Sequence, residues 1–252
     1  GTPMPIWERA DGSHVVVDSL ASLKKYSKTA GNTYYAMRHG ETEYNVAGLW
    51  SCNPEREDKL TEQGVEQVKH SASQFSGNKI DLIIASPFYR TQETARIAAR
   101  ELGVDEADII TDARLSEWNV GSEFDSKPLD SYFELRNTQA DRYHFKTNDG
   151  ESYADVLVRA GQFMYELEEK YKGKNILIVS HGAPTRALEI VGQGFSFDTL
   201  FDITRSYINF TNGEIRLLGF VPLPHNENFE LDFHKPFIDN VELVDENGNK
   251  MV

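Results

Sequence analysis

The chain has a single cysteine, Cys52, in 252 residues, so it has no internal disulfide framework and a reducing compartment is expected. Long apolar runs are missing as well: nothing approaches the ~18 residues that would span a membrane. Gly1-Thr2-Pro3-Met4 opens the chain without a charged leader followed by an apolar core. Neither secretion nor membrane insertion is expected, and the sequence reads as cytoplasmic. Positive charge is also in deficit. With 26 Lys and Arg against 40 Asp and Glu, the net charge of −14 argues against a broad nucleic-acid surface, though not against a small anion held by a local group of arginines. Internal repeats, low-complexity tracts and residues at metal-ligand spacing are absent, and no metal is expected. What remains, 39% hydrophobic residues, is enough for one large domain or one domain with small attachments.

The middle of the chain alternates strands and helices. Thr33 to Met37 reads as a strand, and Thr61 caps a helix running through Val65 and Val68 toward Phe75. Ile80 to Ala85 is a second buried strand, and Ser86-Pro87 opens a helix carrying Ala95, Ala98 and Leu102, with Pro87 in its first turn. Ser152-Tyr153-Ala154-Asp155 resembles a capping box, and Val156, Ala160, Phe163 and Leu167 follow at helical spacing before Gly173. Ile176 to Val179 is the next buried strand. A further helix is expected beyond Arg186, then a hairpin from Tyr207–Phe210 through Asn212-Gly213 to Ile215–Phe220. This order predicts a three-layer α/β/α domain with a mainly parallel central sheet, flanked by small β-rich segments. The boundaries fall at residues 1–32, 33–225 and 226–252. Each flank shows a hairpin signal, Asp11-Gly12 at one end and Asn247-Gly248 at the other, and neither is long enough to make a core alone.

Two tripeptides stand at the ends of expected strands: Arg38-His39-Gly40 and Ser180-His181-Gly182. In a parallel sheet, ligands bind outside the carboxyl ends of the strands, so these distant residues are expected to share a pocket. Glu41-Thr42 continues the first motif, with Asn45 close behind. Between the two lie Ser86-Pro87-Phe88-Tyr89-Arg90-Thr91 and Leu115-Ser116-Glu117. In this order the four elements resemble the histidine phosphatase superfamily, which includes phosphoglycerate mutases, and the resemblance covers roughly residues 33–220.

The resemblance implies phosphoryl transfer, which is mainly positioning and electrostatic stabilisation of charge on the equatorial oxygens. Arg38 and Arg90 would present planar donor forks to the phosphate, with His181 as a third donor. His39 would be the nucleophile, one ring nitrogen attacking phosphorus while a backbone carbonyl holds the other. Glu117 would act as acid and then as base. Thr42 and Asn45 would add neutral hydrogen bonds, and the chemistry asks for no cofactor. Taken singly, each of these residues has a plainer reading: a hydrogen-bonded core histidine, a solvated helix arginine, one carboxylate among many. The pattern departs from its relatives after Glu117, where a Gly-x-Trp-Glu-Gly string is replaced by Gly121-Ser122-Glu123-Phe124. Trp50 and Cys52 are expected near the pocket rim. His70, His144 and His225 are expected on the surface, and Gly192-Gln193-Gly194 lacks the setting of a dinucleotide loop.

The two ends carry a second resemblance. Gly1-Thr2-Pro3-Met4-Pro5-Ile6-Trp7, with Val15-Val16-Val17 and Ser19 to Lys24, is similar to isoleucyl-tRNA synthetase just after its editing domain. Leu231-Asp232-Phe233-His234-Lys235-Pro236-Phe237-Ile238-Asp239 with Val241-Glu242-Leu243 is similar to the next segment of that synthetase. The implied arrangement is a phosphatase domain inserted in a synthetase-like host. A start at Gly1 rather than Met fits an excerpt of such a protein. ATP, isoleucine and tRNA would then be partners of the parent alone, since neither HIGH-like nor KMSKS-like signatures occur in these 252 residues. The expected activity is hydrolysis of a small phosphorylated substrate. Mutase-type transfer is the nearest alternative, and a catalytically idle interaction module is a third. Hydrolysis is preferred because the Ser122–Asp149 stretch is acidic overall, whereas a mutase needs added basic residues.

Overall fold

A computed structural model describes residues 6–206 and 208–251. Strands β1 (Ile6–Glu8) and β2 (His14–Val16) form an antiparallel ribbon followed by helix α1 (Leu20–Tyr26). Then come β3 (Thr33–Arg38), α2 (Glu43–Ala47), α3 (Glu62–Phe75), β4 (Leu82–Ala85), α4 (Tyr89–Leu102) and β5 (Ile110–Thr111). The second half contains α5 (Leu129–Asn137), α6 (Tyr153–Lys170), β6 (Asn175–Ser180), α7 (Gly182–Gln193), α8 (Leu200–Ser206), β7 (Ile215–Leu218) and α9 (Lys235–Ile238). Among the described residues no helix is long and apolar enough to cross a membrane.

The central sheet has the order β5-β4-β6-β3-β7, parallel except for β7, which runs antiparallel to β3. Alternation along β6 divides the core. Ile176 and Ile178 face a layer that includes Val156, Phe163 and Leu188 of α6 and α7. Leu177 and Val179 face Val68, Ala95 and Ala98 of α3 and α4. A strand buried on both faces reads as a continuous apolar run, as this one does. The register sets Arg38 beside Ser180 and Ala85 beside Val179, so the residues that follow β3, β4 and β6 emerge together.

Four local expectations are corrected. Pro87 precedes the N-cap residue Phe88 and lies outside the helix, because Phe88 is still extended at ψ 147°. The helix expected beyond Arg186 begins at Gly182, directly on its N-cap His181. Residues 208–210 form no strand: β3 is the partner of β7, so a sheet neighbour replaces the expected hairpin, and Tyr207 lies outside the described residues. Around Asn247-Gly248 there is a turn closed by the single bridge Val244–Lys250. Gly1 to Pro5 and Val252 also lie outside the described residues.

The two ends fold against each other. Trp7, Val15, Val17 and Leu23 share one apolar cluster with Leu243, Met251 and Leu223. Ser27 bridges Leu243, Val244 N donates to Tyr26 O at 2.8 Å, and Lys28 N donates to Glu242 O at 2.9 Å. Neither segment buries enough apolar surface alone, and together they enclose Leu23 completely.

Candidate active site

His39 directly follows β3, and His181 directly follows β6, so strand pairing brings their rings to 5.3 Å between centroids. His39 is 2% exposed, and its Nδ1 lies 2.7 Å from Gly40 O. A carbonyl only accepts, so Nδ1 carries the proton and Nε2 keeps its lone pair. Arg90 Nε donates to that Nε2 at 3.2 Å. Burial, then the Arg90 and Arg38 charges, hold His39 well below the usual imidazole pKa, which keeps it neutral.

Gly40 has a steric task. A Cβ there would stand 2.6 Å from Gly64 O, and a Cβ on Gly64 would stand 2.2 Å from Glu41 O. The loop carrying His39 is thus pressed against the first turn of α3, where Thr61 N donates to Glu41 O at 2.9 Å. Alanine ordinarily favours a helix over glycine by about 1 kcal/mol. Here Gly64→Ala is expected to destabilise by about 1–3 kcal/mol, lowering the melting temperature measured by calorimetry. A rise would show that the loop yields freely.

Arg90 is 3% exposed and fixed on several sides. Its Nη2 donates to Ser51 O at 2.8 Å and its Nη1 to Ser51 Oγ at 3.3 Å, with Asp58 at 3.7 Å and Glu117 at 3.6 Å. Arg38, the last residue of β3, donates from Nη1 to Phe210 O at 2.7 Å, while its buried Nε has no protein acceptor. His181 is fully buried, and its Nε2 lies 2.8 Å from Ser86 Oγ. Ser86 Oγ accepts from Phe88 N at 3.3 Å, and among the described residues its own proton has no acceptor besides His181 Nε2; donated there, it leaves the imidazole proton on Nδ1. That Nδ1–H has no hydrogen-bond acceptor, although Glu117 Oε2 is 3.6 Å away. A buried donor left unmatched costs about 1–3 kcal/mol. An anion between Arg38, Arg90 and His181 would satisfy these donors.

Glu117 sits in the loop after the short 3-10 turn Ala113–Leu115. Its Oε1 accepts from Trp118 N at 2.8 Å. Burial raises its pKa against the lowering effects of Arg90, the Trp118 N–H and Arg38. Beside it opens a cavity of about 520 Å³ lined by Arg38, His39, Asn45, Arg90 and Glu117, among others.

The sequence profile of the histidine phosphatase superfamily (branch 1) matches residues 34–218. The chain belongs to this superfamily. Phosphoserine phosphatase 1 of Hydrogenobacter thermophilus is 30% identical over 159 residues, 60% of this chain and 72% of that protein. The adenosylcobalamin/alpha-ribazole phosphatase of Escherichia coli K12 is 29% identical over 58% of this chain and 72% of its own length. A 2,3-bisphosphoglycerate-dependent phosphoglycerate mutase of Methylobacterium is 26% identical, covering 65% and 81%. In fold, the chain is similar to YhfR of Bacillus stearothermophilus, with TM-score 0.62 and 23% identity over 76% of this chain and 94% of that one. The mycobacterial glucosyl-3-phosphoglycerate phosphatase solved with VO3 gives TM-score 0.61 at 20% identity, over 75% and 98%. The mainly parallel sheet and its helical layers are those of the superfamily.

Five of the seven residues singled out from the sequence line the cavity directly, and His181 stands beside it, its ring 5.3 Å from that of His39 and its Nδ1 3.6 Å from Glu117 Oε2. Thr42 is the exception and is corrected. It is fully buried, its Oγ1 accepting from Asn45 N at 3.3 Å to cap α2 and donating to Asp58 Oδ2 at 3.1 Å, so no hydroxyl remains for a ligand. Asn45 Oδ1 accepts from Asn212 Nδ2 at 3.2 Å. Trp50 lines the cavity. Cys52 is buried behind it with Sγ on Trp118 O, and burial pushes the thiol up to about 12. His70 and His144 are exposed, whereas His225 is half-buried, stacked on Phe229 at 4.9 Å.

Sequence reasoning missed Ser51, Asp58, Ser86 and Asn212. Ser86 lay inside a quoted motif but read only as a helix start. The charge argument on Ser122–Asp149 is also corrected: its Glu123, Asp130, Glu134, Asp141 and Asp149 are exposed, while Arg136 and Arg142 line the cavity. Net charge along a segment does not report which side chains face inward.

Proposed function

We propose that the domain hydrolyses small phosphate monoesters through a phosphohistidine on His39. The carrying observation is the His39 tautomer, with Nδ1–H on Gly40 O and the Nε2 lone pair turned toward Arg90. On binding, Arg38, Arg90 and the His181 Nδ1–H take the equatorial oxygens, and Arg90 passes from Nε2 to the phosphate. Nε2 attacks phosphorus, the P–N bond forms, the ester P–O bond breaks, and Glu117 gives its proton to the departing oxygen. In the second half Glu117 takes a proton from water, the water oxygen attacks phosphorus, and the P–N bond breaks to release phosphate and neutral His39. Ser86 positions His181 by fixing its tautomer.

Hydrolysis is preferred to transfer because the Glu117 side chain is 15% exposed, giving water access to the base. Mutase-type transfer is the second reading, supported by Arg136 and Arg142 in the cavity wall. Incubation with phosphoglycerates, following phosphate release against isomerisation, separates the two: release is expected, and clean isomerisation without release would overturn hydrolysis. An idle module would turn over phosphate esters no faster than its His39→Ala variant.

The finer setting is an insert in an isoleucyl-tRNA synthetase-like host, with residues 1–32 and 226–252 as the flanks and 33–225 as the domain. Its support is the joint core of the two ends around Leu23 and Leu243. ATP and tRNA belong to that parent only, and the single buried thiol of Cys52 supports a cytoplasmic location. Reading the coding sequence on both sides for HIGH-like and KMSKS-like signatures tests the host, and their absence would remove it.

A further inference from the structure

Two carboxylates, Glu117 and Asp58, line the cavity, and the proposed reaction uses only Glu117. Asp58 is buried. A buried charge is costly unless paired, and its Oδ2 has two partners: it accepts from Thr42 Oγ1 at 3.1 Å and stands 3.7 Å from Arg90 Nη1. The second contact is an ion pair beyond hydrogen-bond length. Arg90 thus spends its donors on Ser51 and on His39 Nε2, while Asp58 faces its charge.

The carboxylate is held from both sides. Thr42 caps α2, and a β-bridge joins Thr42 to Leu60, two residues beyond Asp58. Leu60 N in turn donates to Glu93 Oε1 at 2.9 Å, one turn along α4 from Arg90. The segment that carries Asp58 is therefore laced to the helix that carries Arg90, and the two side chains keep a fixed relation.

A phosphate monoester and free phosphate are both close to dianions at neutral pH. Against them the inner site sets the guanidinium charges of Arg38 and Arg90, since burial and the arginines keep His39 and His181 neutral. Glu117, whose pKa is raised by burial, carries its proton both before the ester is cleaved and after water has been used. Two cations would match the dianion, and Asp58 offsets one of them. We infer that Asp58 is a positioning residue that fixes the Arg90 guanidinium and offsets its charge, so that the site holds phosphate loosely enough to release it after each turnover. The inference rests on the phosphatase reading of the inner site. Binding that is equally strong in the ground state and the transition state raises no kcat, and a hydrolase that grips phosphate tightly is inhibited by its own product.

Because one oxygen makes both contacts, Asp58→Asn keeps an acceptor for Thr42 and loses the charge. The test is calorimetric binding of inorganic phosphate to the wild type and to Asp58→Asn, with melting temperatures measured alongside. The variant is expected to bind phosphate about tenfold or more tighter, because unit charges a few Å apart in a partly screened site interact by at least that factor. Its KM for p-nitrophenyl phosphate and its inhibition constant for phosphate are expected to fall in step. A carboxylate that only braced Thr42 at the cap of α2 would leave phosphate affinity unchanged or weaken it, and either result in a variant with the wild-type melting temperature would overturn the inference. Should Asp58→Asn melt lower, Asp58→Ser, a second neutral polar replacement, is read in its place with the same two outcomes. The binding measurement needs no turnover: should no ester release phosphate, the phosphatase reading falls, and the two phosphate affinities still decide the role of Asp58.

Discussion

Replacing His39 with alanine is expected to reduce phosphate release by about 10⁴-fold or more, because no other group in the cavity offers a comparable lone pair to phosphorus. Arg38, Arg90 and His181 remain to bind the ester, so KM is expected to move far less than kcat. Initial rates measure the loss, and a rapid quench with labelled ester shows its cause: a protein-bound phosphate that is stable to alkali and labile to acid in the wild type, absent from the variant. Undiminished turnover by His39→Ala would remove the mechanism. The same substitution alters acid stability. His39 has a folded pKa well below its unfolded value of about 6.5, so below that pH the unfolded chain takes up a proton that the folded site refuses. Stability is therefore lost as pH falls, by up to about 1.4 kcal/mol per pH unit for each such histidine. His181 behaves alike. Between pH 7.5 and 5.5 the melting temperature of His39→Ala is expected to fall less than that of the wild type.

Glu117→Gln is expected to lower kcat/KM by about 10²–10⁴-fold on alkyl phosphates, whose leaving oxygen needs a proton. The loss on p-nitrophenyl phosphate is expected to be much smaller in the first step, since nitrophenolate departs unprotonated. Raised by burial, Glu117 keeps its proton to a higher pH than an ordinary glutamate, and His39 stays neutral to a lower pH than an ordinary histidine. The wild-type kcat/KM profile is therefore expected to carry an alkaline limb from loss of the Glu117 proton, at a higher pH than an ordinary glutamate would give. That limb is expected to vanish in Glu117→Gln. Comparing both proteins on one substrate cancels the ester's own ionisation, and an unchanged alkaline limb would transfer the acid role to another group.

The sheet and its site were legible because they follow from local rules. A buried parallel strand is a continuous apolar run, and the residues after Met37, Ala85 and Val179 must emerge at one edge whatever the loops do. Arg90 followed from its place one turn beyond that edge. Thr42 was misread because a hydroxyl caps a helix or binds a ligand with the same sequence signature, and only the contact with Asp58 decides between them. Arg136 and Arg142 were hidden for another reason. They lie on α5 and the irregular segment after it, where half-buried arginines are interspersed with exposed acids. The partner of β7 was likewise invisible, since a turn signal at Asn212-Gly213 specifies the reversal and not the strand that receives it.

The shared core of the two ends also sets an order of events during synthesis. Trp7, Val15 and Leu23 leave the ribosome more than two hundred residues before Leu243 and Met251. At roughly 5–20 residues per second, the first ribbon and helix wait roughly ten to forty seconds for the side chains that cover them. Closing so long a loop in an unfolded chain costs on the order of 5 kcal/mol. Once the sheet has formed, its own contacts hold Ala30 against Gly173 and Leu231 against Phe195, and that entropy has already been lost. The nascent apolar ribbon thus stays uncovered until the domain behind it folds, and that domain serves as the clamp that joins its two halves.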